Sequence, residues 1–311
     1  MVDTVSDTGG SERLCRIGVQ RDILGECPVW DDRANALYWV DIRQPAIRRY
    51  RPDSGEVDTW LMPDLVGSIA LCTDERLLVA LSDRIVLWQI GTDRFQPVVT
   101  LPDAQPGHRC NDGRCDRQGR FWVGTMHNVT RAPEGVLYRL DGRRLTPVLD
   151  GICIPNSLAW SQDGKTMYFS DSLTYGIDRF DFDIVSGTIG ERRRWVDTRK
   201  PAFPDGSAVD ELGNLWNAEF NGGRVVCYAP DGAVRQEVAL PYHRPTACAF
   251  GGAGLATLFV SSTSQNMTEQ ELEAAPLAGA LFALDVGVRG LPEPRYNPDD
   301  DNPRYREEEQ K

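Results

Sequence analysis

The chain has 311 residues, 41% hydrophobic and 26% charged, which is the balance of an ordinary globular protein. Its net charge of −12 disfavours nucleic-acid backbones and anionic membrane surfaces as partners. No run of about eighteen apolar residues is present, so the sequence offers no membrane-spanning helix.

The opening stretch "MVDTVSDTGGSERL" lacks the basic region and apolar core of a secretory signal. Residues 1–12 are expected to be a disordered leader, and a cytoplasmic location is the default. From 13 to 293 the pattern is strand and turn. Short runs such as "ALYWVDI", "RFWVGTM", "TMYFSDS" and "NLWNAEF" are bounded by Asp, Gly and Asn. Only "TEQELEAA", residues 268–275, reads as a short helix. The charged, proline-containing end, 294–311, is expected to be loosely attached.

Eight scattered cysteines without a CxxC pair suit buried reduced thiols better than a disulfide framework. A Cys110–Cys115 bridge is the one pairing left open. His108, His127 and His243 show neither HExxH nor zinc-finger spacing, which disfavours a histidine-rich zinc hydrolase. Ser157, Ser170 and Ser172 lack a nearby histidine and a G-x-S-x-G elbow, which disfavours a serine hydrolase. The Asp141-Gly142, Asp163-Gly164 and Asp231-Gly232 pairs lack the downstream glutamate of a calcium loop and read as hairpin turns.

One unit recurs six times: an apolar residue, a polar turn, then an aromatic-rich strand. Its copies are "WDDRANALYWVD", "LCTDERLLVALSD", "CDRQGRFWVGTM", "WSQDGKTMYFSDS", "VDELGNLWNAEF" and "FGGAGLATLFVSS". A second hairpin-like unit follows each, from "AIRRYRPDSGEV" to "GALFALDVGVRG". Six four-stranded units spaced 41 to 49 residues apart predict an all-β fold, a six-bladed β-propeller with antiparallel blades. Trp39, Trp122 and Trp216 occupy corresponding strands and are expected to pack between blades.

The repeat also aligns residues that would otherwise look unrelated. Four positions before the apolar residue of each unit stand Glu26, Gly67, Asn111, Asn156, Asp205 and Thr246. Innermost strands line a propeller's channel, so these six should form a ring around the axis. Each polar member alone could simply hydrogen-bond a neighbouring blade. Four oxygen-bearing residues in register (Glu26, Asn111, Asn156 and Asp205) favour a divalent cation instead. Such oxygens suit Ca²⁺, Mg²⁺ and Mn²⁺, and Zn²⁺ or Fe²⁺ can accept them.

The stretches "LGECPVWD", "RCNDGRCDRQGRFWVGTM", "IPNSLAWSQDGKTMYFSDS" and "PDGSAVDELGNLWNAEFNGGRV" together resemble the senescence-marker-protein/gluconolactonase/regucalcin family. The resemblance runs from about residue 17 to 260, with the motifs in family order. It implies a six-bladed propeller and, where the relatives are enzymes, metal-dependent hydrolysis of sugar lactones. By resemblance the metal ligands are Glu26, Asn156 and Asp205, while Arg109 and Asn111 face the sugar. The chain departs from the family after Gly-Thr-Met: many relatives carry an acidic substrate contact there, whereas "GTMHNVT" supplies His127, Asn128 and Val129.

The resulting expectation is aldonolactone hydrolysis with one divalent ion as Lewis acid and Asp205 as proton acceptor for the attacking water. The partner is a small-molecule sugar lactone. A metal-dependent esterase or phosphotriesterase on the same residues is a second reading. A non-enzymatic calcium-binding or scaffold propeller is a third, because fold alone does not decide function.

Overall fold

The structure, a computed structural model, describes residues 14–299. The expected leader, 1–12, lies outside the described residues. The strands form six small antiparallel sheets, which we call blades I to VI in order of their inner strands. Those inner strands are Gly25–Asp31, Val66–Leu71, His108–Cys115, Pro155–Trp160, Phe203–Val209 and Pro245–Gly251. Each contacts the next, and the sixth contacts the first, so the blades close a ring. The expected six-bladed β-propeller is the fold.

Burial explains why the aromatic-rich runs are strands. The second strand of blade I, Ala36–Asp41, is buried at every position because blades cover both of its faces. The outermost strand, Glu56–Leu61, is buried at none and carries alternating polar residues. The core therefore lies between blades. Trp122, Trp160 and Phe182 meet across one such seam, with the two indole rings 5.7 Å apart. The expected packing of Trp39, Trp122 and Trp216 is observed. Their indole N–H groups donate to Asp22, Asp116 and Asp210 at 2.8, 3.0 and 2.9 Å, which satisfies the polar end of each buried ring.

Blade VI differs from the expected pair of consecutive hairpins. Its outermost strand is Leu14–Ile17, which pairs with Leu281–Asp285 from Leu14↔Leu284 to Ile17↔Leu281. The beginning of the chain thus completes the last blade and ties the ring shut. The following segment is freed for another task and crosses the far end of the axis. There Arg114 Nε lies 3.2 Å from Glu293. Tyr296 is 2% exposed, receives the Thr73 N–H and donates its own N–H to Leu71 and its hydroxyl to Gly142. Arg295 Nη2 lies 2.6 Å from both Asp31 and Asp32. The boundary expected after residue 293 therefore falls too early: Arg295 and Tyr296 still pack on the blades, anchored by an ion pair and a buried aromatic ring, and Asn297 and Asp299 beyond them are exposed.

The expected short helix is Glu269–Ala274, started by Thr268 with a reciprocal hydrogen bond to Glu271. All eight cysteines are free, so Cys110 and Cys115 are not bridged. Among the described residues no helix is long and apolar enough to cross a membrane.

Candidate functional site

All six ring positions lie near the start of their inner strands, and the pairing with the second strand breaks there in every blade. The irregularities fall between Glu26 and Val29, Val66 and Ser68, Cys110 and Gly113, Asn156 and Ala159, Pro204 and Ser207, and Pro245 and Cys248. A bulge of this kind re-aims side chains at the rim of a closed sheet array. In blades I and IV the residue after the ring position, Cys27 or Ser157, takes a left-handed backbone, with φ of 48° and 63°. Both side chains then fasten the blade to a neighbour. Cys27 Sγ receives the Ile69 N–H, and the Ser157 hydroxyl meets that of Ser207 at 2.6 Å. Burial pushes the Cys27 thiol up to about 12, so its role is packing.

Two ring positions serve closure. Gly67 is pressed against blade III: a Cβ there would stand 2.4 Å from the Cys110 carbonyl oxygen. The Thr246 hydroxyl bonds to the Gly25 carbonyl and Ser261, stitching blade VI to blade I. The other four positions line one cavity of about 660 Å³, open to solvent, together with Arg109. Every residue singled out from the sequence for the site is therefore brought to a common space.

A hydrogen-bonded chain fixes one half of the ring. Asn128 accepts from Arg109 Nε at 2.8 Å, and Arg109 Nη1 donates to Asn111 Oδ1 at 2.6 Å. Asn111 Nδ2 donates to Asn156 Oδ1 at 2.9 Å, Asn156 Nδ2 to Ser172 at 2.8 Å, and Ser172 to the Pro204 carbonyl at 2.7 Å. Asn156 Oδ1 thereby keeps a fixed orientation and a spare lone pair. Asn111, expected to face the sugar, spends both ends of its amide inside this chain. Asp112, next to Asn111, accepts the Leu158 N–H at 2.9 Å.

The carboxylates are not satisfied in this way. Asp205 Oδ1 is buried without a hydrogen-bond partner. Burial, then repulsion from Glu26 and Asp112, pushes the Asp205 carboxyl well above its usual range. Burial and the nearby Asp112 push Glu26 up to about 8, with Arg109 offsetting only part of the effect. Crowded carboxylates with an orphaned oxygen form an anionic centre that calls for a proton or a cation. Among the described residues no group of three or more His, Cys, Asp or Glu is arranged to hold a metal. A cation here would use the two carboxylates with the Asn156 carboxamide, a set that fits a hard or borderline divalent ion.

The wall of the cavity escaped the sequence reading. Arg43, Arg131, Phe203, Phe220 and Gln265 also line it, mostly from connections between second and third strands. His127 does not line it. Its Nδ1 accepts the Val129 and Thr130 N–H groups at 3.3 and 3.1 Å and so folds the loop that carries Arg131.

Fold and site together define a class: a six-bladed propeller with an oxygen-lined, water-accessible pocket at one end of its axis. The model of the SMP-30/gluconolactonase/LRE-like region matches residues 24–264, and the chain belongs to that family. It is 37% identical to a 6-deoxy-6-sulfogluconolactonase of Pseudomonas putida, over 92% of this chain and 99% of that protein. It is 36% identical to an L-arabinolactonase of Azospirillum brasilense, over 89% and 93%. Among solved structures it resembles a calcium-binding protein, regucalcin, from Agrobacterium tumefaciens. The TM-score is 0.87 and the identity 29%, over 90% of this chain and 96% of that one.

Proposed function

We propose that the protein hydrolyses a sugar aldonolactone to the aldonic acid, assisted by one divalent cation held by Glu26, Asn156 and Asp205. The observation that carries this reading is the buried, unpartnered Asp205 Oδ1 facing a second crowded carboxylate on the floor of an open cavity. The lactonase names of the relatives and the calcium-binding description of the structural neighbour support it. The donor set suits Ca²⁺, Mg²⁺ or Mn²⁺ and is compatible with Zn²⁺ or Fe²⁺. When bound, the ion supplies a Lewis acid that polarises the lactone carbonyl.

The chain's own residues do the rest. The Asp205 carboxylate accepts a proton from the water attacking the carbonyl carbon. A new carbon–oxygen bond forms, the ring carbon–oxygen bond breaks, and the proton passes to the departing ring oxygen. Arg109, held through Nε and Nη1, makes no hydrogen bond through Nη2 among the described residues. That nitrogen is available to the substrate oxygen on which charge develops. Asn111 and Asn128 position the guanidinium, and Phe203 and Phe220 give the sugar two apolar surfaces.

The test compares wild type and Asp205→Asn on a sugar lactone and on an aryl ester. The reading expects wild type to prefer the lactone and Asp205→Asn to lose cation-stimulated opening. Full activity in the variant contradicts the role of Asp205; a preference for the aryl ester favours an esterase.

A further inference from the structure

Three guanidinium groups, Arg43, Arg109 and Arg131, line the same cavity as the ring. Glu26 and Asp205 are the only carboxylates among its lining residues, and both belong to the floor. Neither Arg43 nor Arg131 has a carboxylate within ion-pair distance among the described residues. The pocket lining is thus cationic in a chain whose net charge is −12.

Of the two wall arginines, Arg43 is held by its side chain and Arg131 by its backbone. Arg43 Nε donates to Gln265 Oε1 at 2.6 Å, and neither terminal nitrogen has a hydrogen-bond partner among the described residues. Arg131 sits at a left-handed backbone position, φ 53°, with its N–H on the His127 carbonyl at 3.2 Å. The positive groups sense one another: burial and then Arg131 pull Arg43 below its usual value, and burial and then Arg43 pull Arg109 down to about 10. Arg109 is committed to the reaction end through Asn111. Arg43 and Arg131 come from the loops of blades I and III and line the cavity without an ion-pair partner among the described residues.

A cluster of like charges at a substrate cavity is unfavourable unless something negative enters. Guanidinium forks match the oxygens of sulfonate, phosphate and carboxylate groups. A neutral sugar needs hydroxyl donors and acceptors and gains little from two unpaired arginines. We propose that the cavity selects sugar lactones carrying an acidic substituent at the end of the sugar remote from the lactone carbonyl, held by Arg43 and Arg131. This rests on the lactonase reading above and narrows it to a substrate class.

The experiment compares kcat/KM for gluconolactone with its 6-sulfonate, its 6-phosphate and the lactone bearing a carboxylate at carbon 6. Wild type and the double variant Arg43→Gln/Arg131→Gln are each assayed with the divalent ion present. Binding of 6-deoxy-6-sulfogluconate and of gluconate is measured in parallel by calorimetry. The proposal expects charged lactones to be favoured roughly 10- to 100-fold at low salt, as charge-assisted hydrogen bonds allow. The preference should lie mainly in KM, shrink with added salt, and collapse towards one in the double variant. Which of the three anions is favoured most identifies the substituent. Equal turnover of neutral and charged lactones, or a preference that survives the double variant, overturns the proposal. If no lactone is opened, the lactonase reading fails. Tighter binding of the sulfonated acid, lost in the double variant, would still uphold the arginine site.

Discussion

Replacing Glu26 by Gln should stabilise the protein when divalent ions are removed. Burial and Asp112 raise the Glu26 carboxyl from 4.5 to about 8. An acid whose folded pKa is raised binds its proton more tightly in the folded state. The destabilisation is therefore absent below about pH 4.5, where the carboxyl is protonated in both states, grows between 4.5 and about 8, and is complete above 8, where it is ionised in both. At about 1.36 kcal/mol per unit the undiscounted cost approaches 5 kcal/mol. Glu26 is only half-buried and lies close enough to Asp205 for the two carboxyls to repel, so about 2–3 kcal/mol is the expectation. Urea denaturation in chelator, at pH 5 and pH 8.5, reads this directly. Wild type should lose stability relative to Glu26→Gln as the pH rises, and added divalent ion should restore it in wild type only. A variant less stable than wild type at pH 8.5 in chelator would show that Glu26 is a satisfied structural carboxylate.

Other consequences are as specific. Gly67→Ala places a methyl group 2.4 Å from the Cys110 carbonyl oxygen, so a loss of about 1–3 kcal/mol is expected in urea denaturation. Tyr296→Ala removes a ring that is 2% exposed and a hydroxyl bonded to Gly142 at 2.6 Å. It should cost about 3 kcal/mol in the same assay, whereas a loosely attached tail would cost nothing measurable. Arg109→Gln should lower kcat/KM for a lactone about 100-fold, as expected when a donor to the developing oxyanion is lost. An unchanged kcat/KM would remove Arg109 from the site.

The ring was legible in the sequence because a propeller repeats one supersecondary unit, so equal offsets from equal landmarks reach equal heights on the axis. Glu26, Asn111, Asn156 and Asp205 follow from that register alone. Arg43, Arg131 and Gln265 do not, since they sit in loops of unequal length that share no period with the strands. Asp112 was also hidden. It lies one residue beyond the ring position, where the bulge between Cys110 and Gly113 breaks the alternation that would otherwise fix its direction. The use of Leu14–Ile17 to finish blade VI could not be read locally, because its partners are some 270 residues away. The end of the chain misled for a compositional reason: one buried tyrosine and one arginine anchor "PRYN", and neither is conspicuous among charges and prolines.

Lactone opening should depend on a cation held in this ring. Its most direct measurement is the rate of aldonolactone opening by chelator-stripped protein, before and after each divalent ion is returned. The expected result is a fall to the uncatalysed rate on stripping and recovery with at least one ion in wild type, but not in Asp205→Asn. Stripped protein that still opens the lactone at its full rate would contradict it.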